Sequence, residues 1–154
     1  MTPGVLVRGI LVDVGDVALD QVSLESSGMK FLRDYRLTSD VEEAVEADNE
    51  LLTGVTIDGF TYSRGAVTRP DSTYLLRSAA YRGSLYRAYE GISYDEFKFD
   101  KRRDIIVAFR IARSDVDGTI TIIWRELDNR QSPSIQWPRK TGDGARENKF
   151  IGGN

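Results

Sequence analysis

Strict alternation of apolar and polar positions dominates the chain and predicts strands along most of its length. Val5 and Val7, then Ile10, Val12 and Val14, keep a two-residue period but change phase around Gly9, which predicts a first strand with a bulge or bend at that glycine. After the Gly15-Asp16 turn, Val17 to Leu24 supplies a second run, in which Val22 and Leu24 alternate with polar neighbours. Ser26-Ser27-Gly28 breaks the chain. Met29 to Leu37 then reads as a third strand of mixed phase, with Phe31, Arg33 and Tyr35 on one face and Leu32, Asp34 and Arg36 on the other.

One segment has helical period. From about Asp40 to Leu52, Val41, Ala44, Val45 and Leu51 or Leu52 recur at helical spacing; Ser39 is placed to cap the start with Glu42 three residues on, and Gly54 supplies a stop. Asp40, Glu42, Glu43, Glu46, Asp48 and Glu50 occur there without a basic residue, a pattern read as a solvated face, with docking of a basic partner as the alternative.

Three hairpins follow in the reading. Val55-Thr56-Ile57 and Phe60-Thr61-Tyr62 flank Asp58-Gly59, a dipeptide suited to positive φ at both turn positions. After a loop from Arg64 to Ser72, Thr73 to Ala80 and Leu85 to Ile92 are expected to pair across Tyr81-Arg82-Gly83-Ser84. Asp104 to Arg113 and Thr119 to Leu127 flank Ser114 to Gly118 and carry the densest apolar positions, so they are expected to be central strands. Eight or nine short strands and one helix predict a mostly β (α+β) domain: an antiparallel β barrel or sandwich with a covering helix near residues 40–52. Residues 1–128 are expected to form one globular domain, and 129–154 a polar tail that straps across it through Trp137 or is mobile beyond about Gly142. A chain of 154 residues is long enough for a single core without disulfides or a structural metal.

Composition narrows the chemistry. There is no cysteine and no histidine, which excludes the usual zinc and iron–sulfur sites, thiol nucleophiles and every imidazole-dependent triad; any catalysis would use carboxylates, hydroxyls, Lys or Arg. No cofactor is expected. With 21 basic against 24 acidic residues the net charge is -3, so nucleic acid is not a favoured partner. The apolar stretch Val5 to Val14 contains Arg8 and Asp13 and is too short to span a bilayer, so no membrane partner is expected and the cytoplasm is the expected location.

Four constellations invite a functional reading. Ser27-Gly28-Met29-Lys30 and Lys140-Thr141-Gly142 match the Ser-x-x-Lys and Lys-Thr-Gly boxes of serine β-lactamases, but the serine falls in a predicted turn of a much smaller chain, and the match is set aside. Asp115-Val116-Asp117-Gly118 has the front half of a calcium loop without its closing Glu, and reads as a hairpin loop. Asp95, Glu96 and Asp100 are the candidates for paired-carboxylate catalysis. Tyr74, Arg77, Tyr81, Arg82, Tyr86 and Arg87 interleave rings and guanidinium groups and are the candidate ligand-binding residues, suited to an anionic or aromatic ligand. The expected function is a non-catalytic binding or interaction domain for a small anionic or aromatic ligand or a protein partner, a homodimer through an exposed strand edge included. The alternatives are a carboxylate-based hydrolase or isomerase, and single-stranded nucleic-acid binding through the Tyr/Arg hairpin.

Overall fold

The computed structural model describes residues 7–83, 86–95, 98 and 101–135. Its elements are β1 (Val7–Gly15), a 3-10 turn (Leu19–Gln21), α1 (Met29–Asp34), α2 (Val41–Thr53), β2 (Val55–Ile57), β3 (Phe60–Ser63), β4 (Thr73–Ala80), β5 (Tyr86–Tyr89), β6 (Ile92–Asp95), β7 (Arg103–Ser114) and β8 (Ile120–Gln131). Six strands form one antiparallel sheet in the order β2-β3-β1-β4-β7-β8, and β5 pairs with β6 in a separate two-stranded sheet. The fold is mostly β, as the alternation predicts, but the large sheet stays open between β2 and β8 and is not a closed barrel.

One face of the sheet carries the core. Register aligns Val12 with Leu75 and Leu75 with Ala108, and in the next row Ile10 with Arg77 and Arg77 with Ile106. Met29 and Leu32 of α1, Leu51 of α2, Val22 and Tyr62 close over these rows. A second, smaller cluster joins Val41 and Ala44 of α2 to Tyr81 and Ile135.

Several local readings change. Pairing of β1 with β4 runs without a shift through Gly9, and the irregularity falls between Asp13 and Gly15. Arg8 is buried in phase with Ile10 and Val12, so a charged residue on the inner face mimicked a change of phase. Val17 to Leu24 is not a strand: Gln21 N–H and Val22 N–H close turns onto Ala18 and Leu19, while the Val17 carbonyl accepts from the Thr73 hydroxyl and the Arg110 guanidinium. Met29 to Leu37 holds α1, whose Met29 and Leu32, three apart, are the buried residues. The cap of α2 is Asp40, one residue beyond the expected Ser39, its side chain accepting from the backbone N–H of Glu42 and Glu43.

The hairpins divide in the same way. β2–β3 forms as predicted, with Asp58 at φ 51° and Gly59 at φ 82°, and so does β7–β8. Thr73–Ala80 does not pair with the strand after it; β4 lies between β1 and β7, and β5 instead turns back onto β6 through Glu90 and Gly91, both at positive φ. Of the two strands expected to be central, β7 is, whereas β8 is an edge. The sheet also continues past residue 128: β8 ends at Gln131, and Ser132 and Ile135 are buried. Trp137 and Gly142 lie outside the described residues.

Arg77 is the most demanding side chain of the core. It is 4% exposed, forks onto Asp104 (Nε and Nη2 at 2.9 and 2.8 Å from the two carboxylate oxygens), and donates from Nη1 to the Leu32 and Tyr35 carbonyls at 2.6 and 2.7 Å. Those carbonyls end α1, so one guanidinium neutralises the buried carboxylate and satisfies the helix terminus. Substituting Arg77→Met should destabilise the domain by about 3–5 kcal/mol, because Asp104 is left buried without its main counter-charge. Arg77→Met combined with Asp104→Leu should recover part of that loss in urea unfolding, while the exposed Arg64→Met changes stability by under about 1 kcal/mol.

Candidate functional site

The members of the Tyr/Arg set whose side chains are described do not converge on one surface. Tyr74 is fully buried, stacks on Phe109 with centroids 5.2 Å apart, and pins the preceding loop through a 2.8 Å bond from the Arg69 N–H. Arg77 is in the core, as above. Tyr81 is buried beneath α2. Arg77 shares its face with Leu75, as alternation predicts, but that face looks into the protein. Arg82 is half-buried and reaches the Ser132 carbonyl. Tyr86 and Arg87 lend backbone to β5, and their side chains lie outside the described residues. The ligand surface expected of this group is therefore reduced to Arg82 among the residues whose side chains are described.

Of the carboxylate candidates, Asp95 is the one that falls among the described residues. Asp95 ends β6 and has interactions of its own. Glu96 and Asp100 lie outside the described residues. Asp115 pairs with Arg113 at 2.7 Å, and Asp117 accepts from Thr119 N–H, a bond that holds its carboxyl below the usual range; with Gly118 at φ 87° these are the parts of a hairpin loop. Among the described residues no group of three or more acidic side chains is placed to hold a metal ion. Nor is any helix there long and apolar enough to cross a membrane.

A cleft of about 640 Å³ opens instead between α1 with its leading turn and the β2–β3 hairpin. Its apolar lining comes from Phe31 and Tyr35 on α1 and from Ile57, Phe60 and Tyr62 on the hairpin. Phe31 meets Tyr35 edge-on at 5.3 Å and leans on Tyr62 at 4.5 Å, giving a continuous aromatic surface. Two features fix the walls. The Tyr62 hydroxyl donates to the Gly28 carbonyl at 2.9 Å, and Gly28, at φ 80°, lets the turn approach Phe60 so closely that a β-carbon there would lie 3.2 Å from the ring.

The rim is polar. Glu25, Asp34 and Asp58 line it with a single cation, Lys30. Arg33 ties Glu25 and Asp34 together at 2.7 and 2.9 Å, and its hydrogen bond holds the Asp34 carboxyl below the usual range. Burial raises the Tyr62 phenol above its ordinary value, and the nearby Asp58 charge adds to that. Ser27 and Lys30 line the same cleft, yet no hydrogen bond joins them, so the Ser-x-x-Lys spacing does not yield an activated hydroxyl here. Chemically the arrangement presents rings and an aliphatic side chain suited to an apolar body, and carboxylates suited to a positive or hydrogen-bond-donating end. Sequence reading missed the cleft because Phe31 and Tyr35 were assigned to a strand; their four-residue spacing was the available signal.

No protein-family model, curated protein or solved structure matches this chain.

Tyr81 has a hydroxyl that is buried without a hydrogen-bond partner, and burial raises its ionisation above the usual tyrosine value. A phenol of raised folded value leaves stability intact below the unfolded value near pH 10 and reduces it as pH climbs from there through the folded one. Tyr81→Phe should therefore be neutral or slightly stabilising at pH 7 and should lessen the fall of the urea midpoint above pH 10. An equal alkaline fall in both proteins would count against this burial.

Proposed function

We propose that the chain is a non-catalytic binding domain whose ligand is a small aromatic or amphipathic molecule carrying a positive end, held in the cleft between α1 and the β2–β3 hairpin. The observation that carries this reading is the pairing of an aromatic lining with a rim of three carboxylates and one lysine. An organic ammonium is attracted both by ring faces and by carboxylates, and cleft volume of this order suits a small molecule. The arginine-rich surface that favoured an anion is absent from this cleft, so the sign expected of its ligand reverses. The cytoplasm remains the proposed compartment.

Isothermal titration with an aromatic amine such as tryptamine, beside its neutral and carboxylate analogues, tests the proposal. The amine should bind best, Phe60→Ala should weaken it by about tenfold, and Asp58→Asn should narrow its advantage over the neutral analogue. Equal binding of all three analogues, or none, would overturn the charge assignment or the cleft respectively.

A second reading, association with another copy of the chain, is favoured by β8. Ile120, Ile122, Ile123 and Trp124 are exposed on this edge strand, Trp124 at 64%, and from Ile120 to Trp124 it has neither the charges nor the proline that ordinarily guard an edge. Antiparallel pairing of two copies about Ile122 would set Ile120 against Trp124 and Thr121 against Ile123, with no like charges opposed within that stretch. Light scattering should show a dimer, and Ile122→Lys with Ile123→Lys should convert it to a folded monomer. A wild-type monomer at the highest attainable concentration would remove this interface.

A further inference from the structure

Most arginines near the sheet are neutralised by carboxylates. Arg33, Arg64, Arg69, Arg77, Arg110 and Arg113 each lie 2.7 or 2.8 Å from an Asp or Glu oxygen. Two at the Asp104 end of the sheet are held differently. Arg82 Nε donates to the Ser132 carbonyl, and Arg103 Nε to the Asn129 side-chain oxygen, each at 2.6 Å. Neutral acceptors fix the direction of a guanidinium without cancelling its charge.

These side chains share a cleft. Arg82, Lys101, Arg102 and Arg103, with Asn129 and Gln131, line a cleft of about 430 Å³, and among the described lining residues there is no carboxylate. Its frame is backbone: Arg103 stands opposite Gln131 in the β7–β8 register, while Arg82 N–H donates to the Pro133 carbonyl at 2.9 Å and its own carbonyl accepts from Ile135 at 2.8 Å. The Asn129 amide nitrogen is engaged by Glu126 at 3.1 Å, which leaves its oxygen turned to Arg103. Bringing Arg82, Lys101 and Arg103 to one cleft of a chain whose net charge is -3 raises a local positive potential that an anion would relieve.

We propose that this cleft is an anion site for a small phosphate-bearing molecule. Guanidinium forks match phosphate oxygens in pairs, and Lys101 adds a mobile point charge that a ligand of variable shape can draw in. Alternation alone grouped Arg82 with Arg77 and the hairpin tyrosines; the structure groups it with the start of β7 and the end of β8. The site shares no residue with the aromatic cleft, so either proposal can fail without the other.

Inorganic pyrophosphate is the probe. It should raise the melting temperature of the full chain and bind with an affinity that falls as salt rises. Lys101→Glu with Arg103→Gln should weaken binding by at least about tenfold while leaving the urea midpoint near its original value. A second variant, Lys101→Ala, keeps the test open should the pair disturb the β7–β8 register, and it too should weaken binding. No response of the wild-type protein to pyrophosphate, or full binding by both variants, would overturn the site. Tight capture of a short single-stranded oligonucleotide without competition by pyrophosphate would also overturn it and assign the charge to nucleic acid.

Discussion

The guanidinium of Arg77 occupies a position on β4 where alternation calls for an apolar side chain, between Leu75 and Ala79 on the face that packs beneath the helices. A charge there is tolerated only with a full set of partners, and each partner is a different part of the fold: Asp104 on β7, and the Leu32 and Tyr35 carbonyls at the end of α1. Arg8, one strand over, is a second buried guanidinium tied to the helices. It bonds the Tyr35 hydroxyl and the Ala44 carbonyl of α2, with Asp48 at 3.8 Å. Two buried arginines thus fix where both helices lie on the sheet. Because α1 has only six residues, its place is set more by these polar contacts and by Met29 and Leu32 than by any helical preference of its own.

That placement creates the aromatic cleft. Phe31 and Tyr35 are directed toward the β2–β3 hairpin because Met29 and Leu32 are buried in the opposite sense, and Tyr35 is held from two sides, by its hydroxyl to Arg8 and its carbonyl to Arg77. The hairpin, in turn, is held to α1 by the Tyr62 bond to Gly28. The cleft is therefore a consequence of core electrostatics rather than of a loop added to a finished scaffold, and the same residues that stabilise the domain orient its walls.

Legibility in the sequence followed the range of the interactions. The β2–β3 and β7–β8 hairpins and α2 were readable because turn residues and periodicity are local signals. The mispairing of β4 and the strand reading of α1 have one physical origin: each was decided by distant partners, β1 and β7 for the former and Arg77 for the latter. Arg8 misled for the same reason, since a buried charge is indistinguishable in sequence from an exposed one until its partners are known. Tyr74, Arg77 and Tyr81 of the Tyr/Arg set are buried rather than presented on a surface. Alternation assigns residues to two faces but does not say which face another layer will cover.

The distribution of charge that results has a direction that the net value of -3 conceals. Acidic partners cancel the charge of most of the arginines, which leaves Asp58 beside the Arg33-bridged Glu25 and Asp34 around one cleft and the cations of Arg82, Lys101 and Arg103 around another. Arg33 moderates the first without removing it, because one guanidinium is shared between two carboxylates and Asp58 lies outside that pair. Among the described residues no carboxylate is paired with Arg82 or Arg103, which are oriented by a carbonyl and an amide oxygen. Two clefts of opposite sign built from separate residues therefore coexist in a chain close to neutrality, and it is this separation, not the total, that sets the sign of the potential in each.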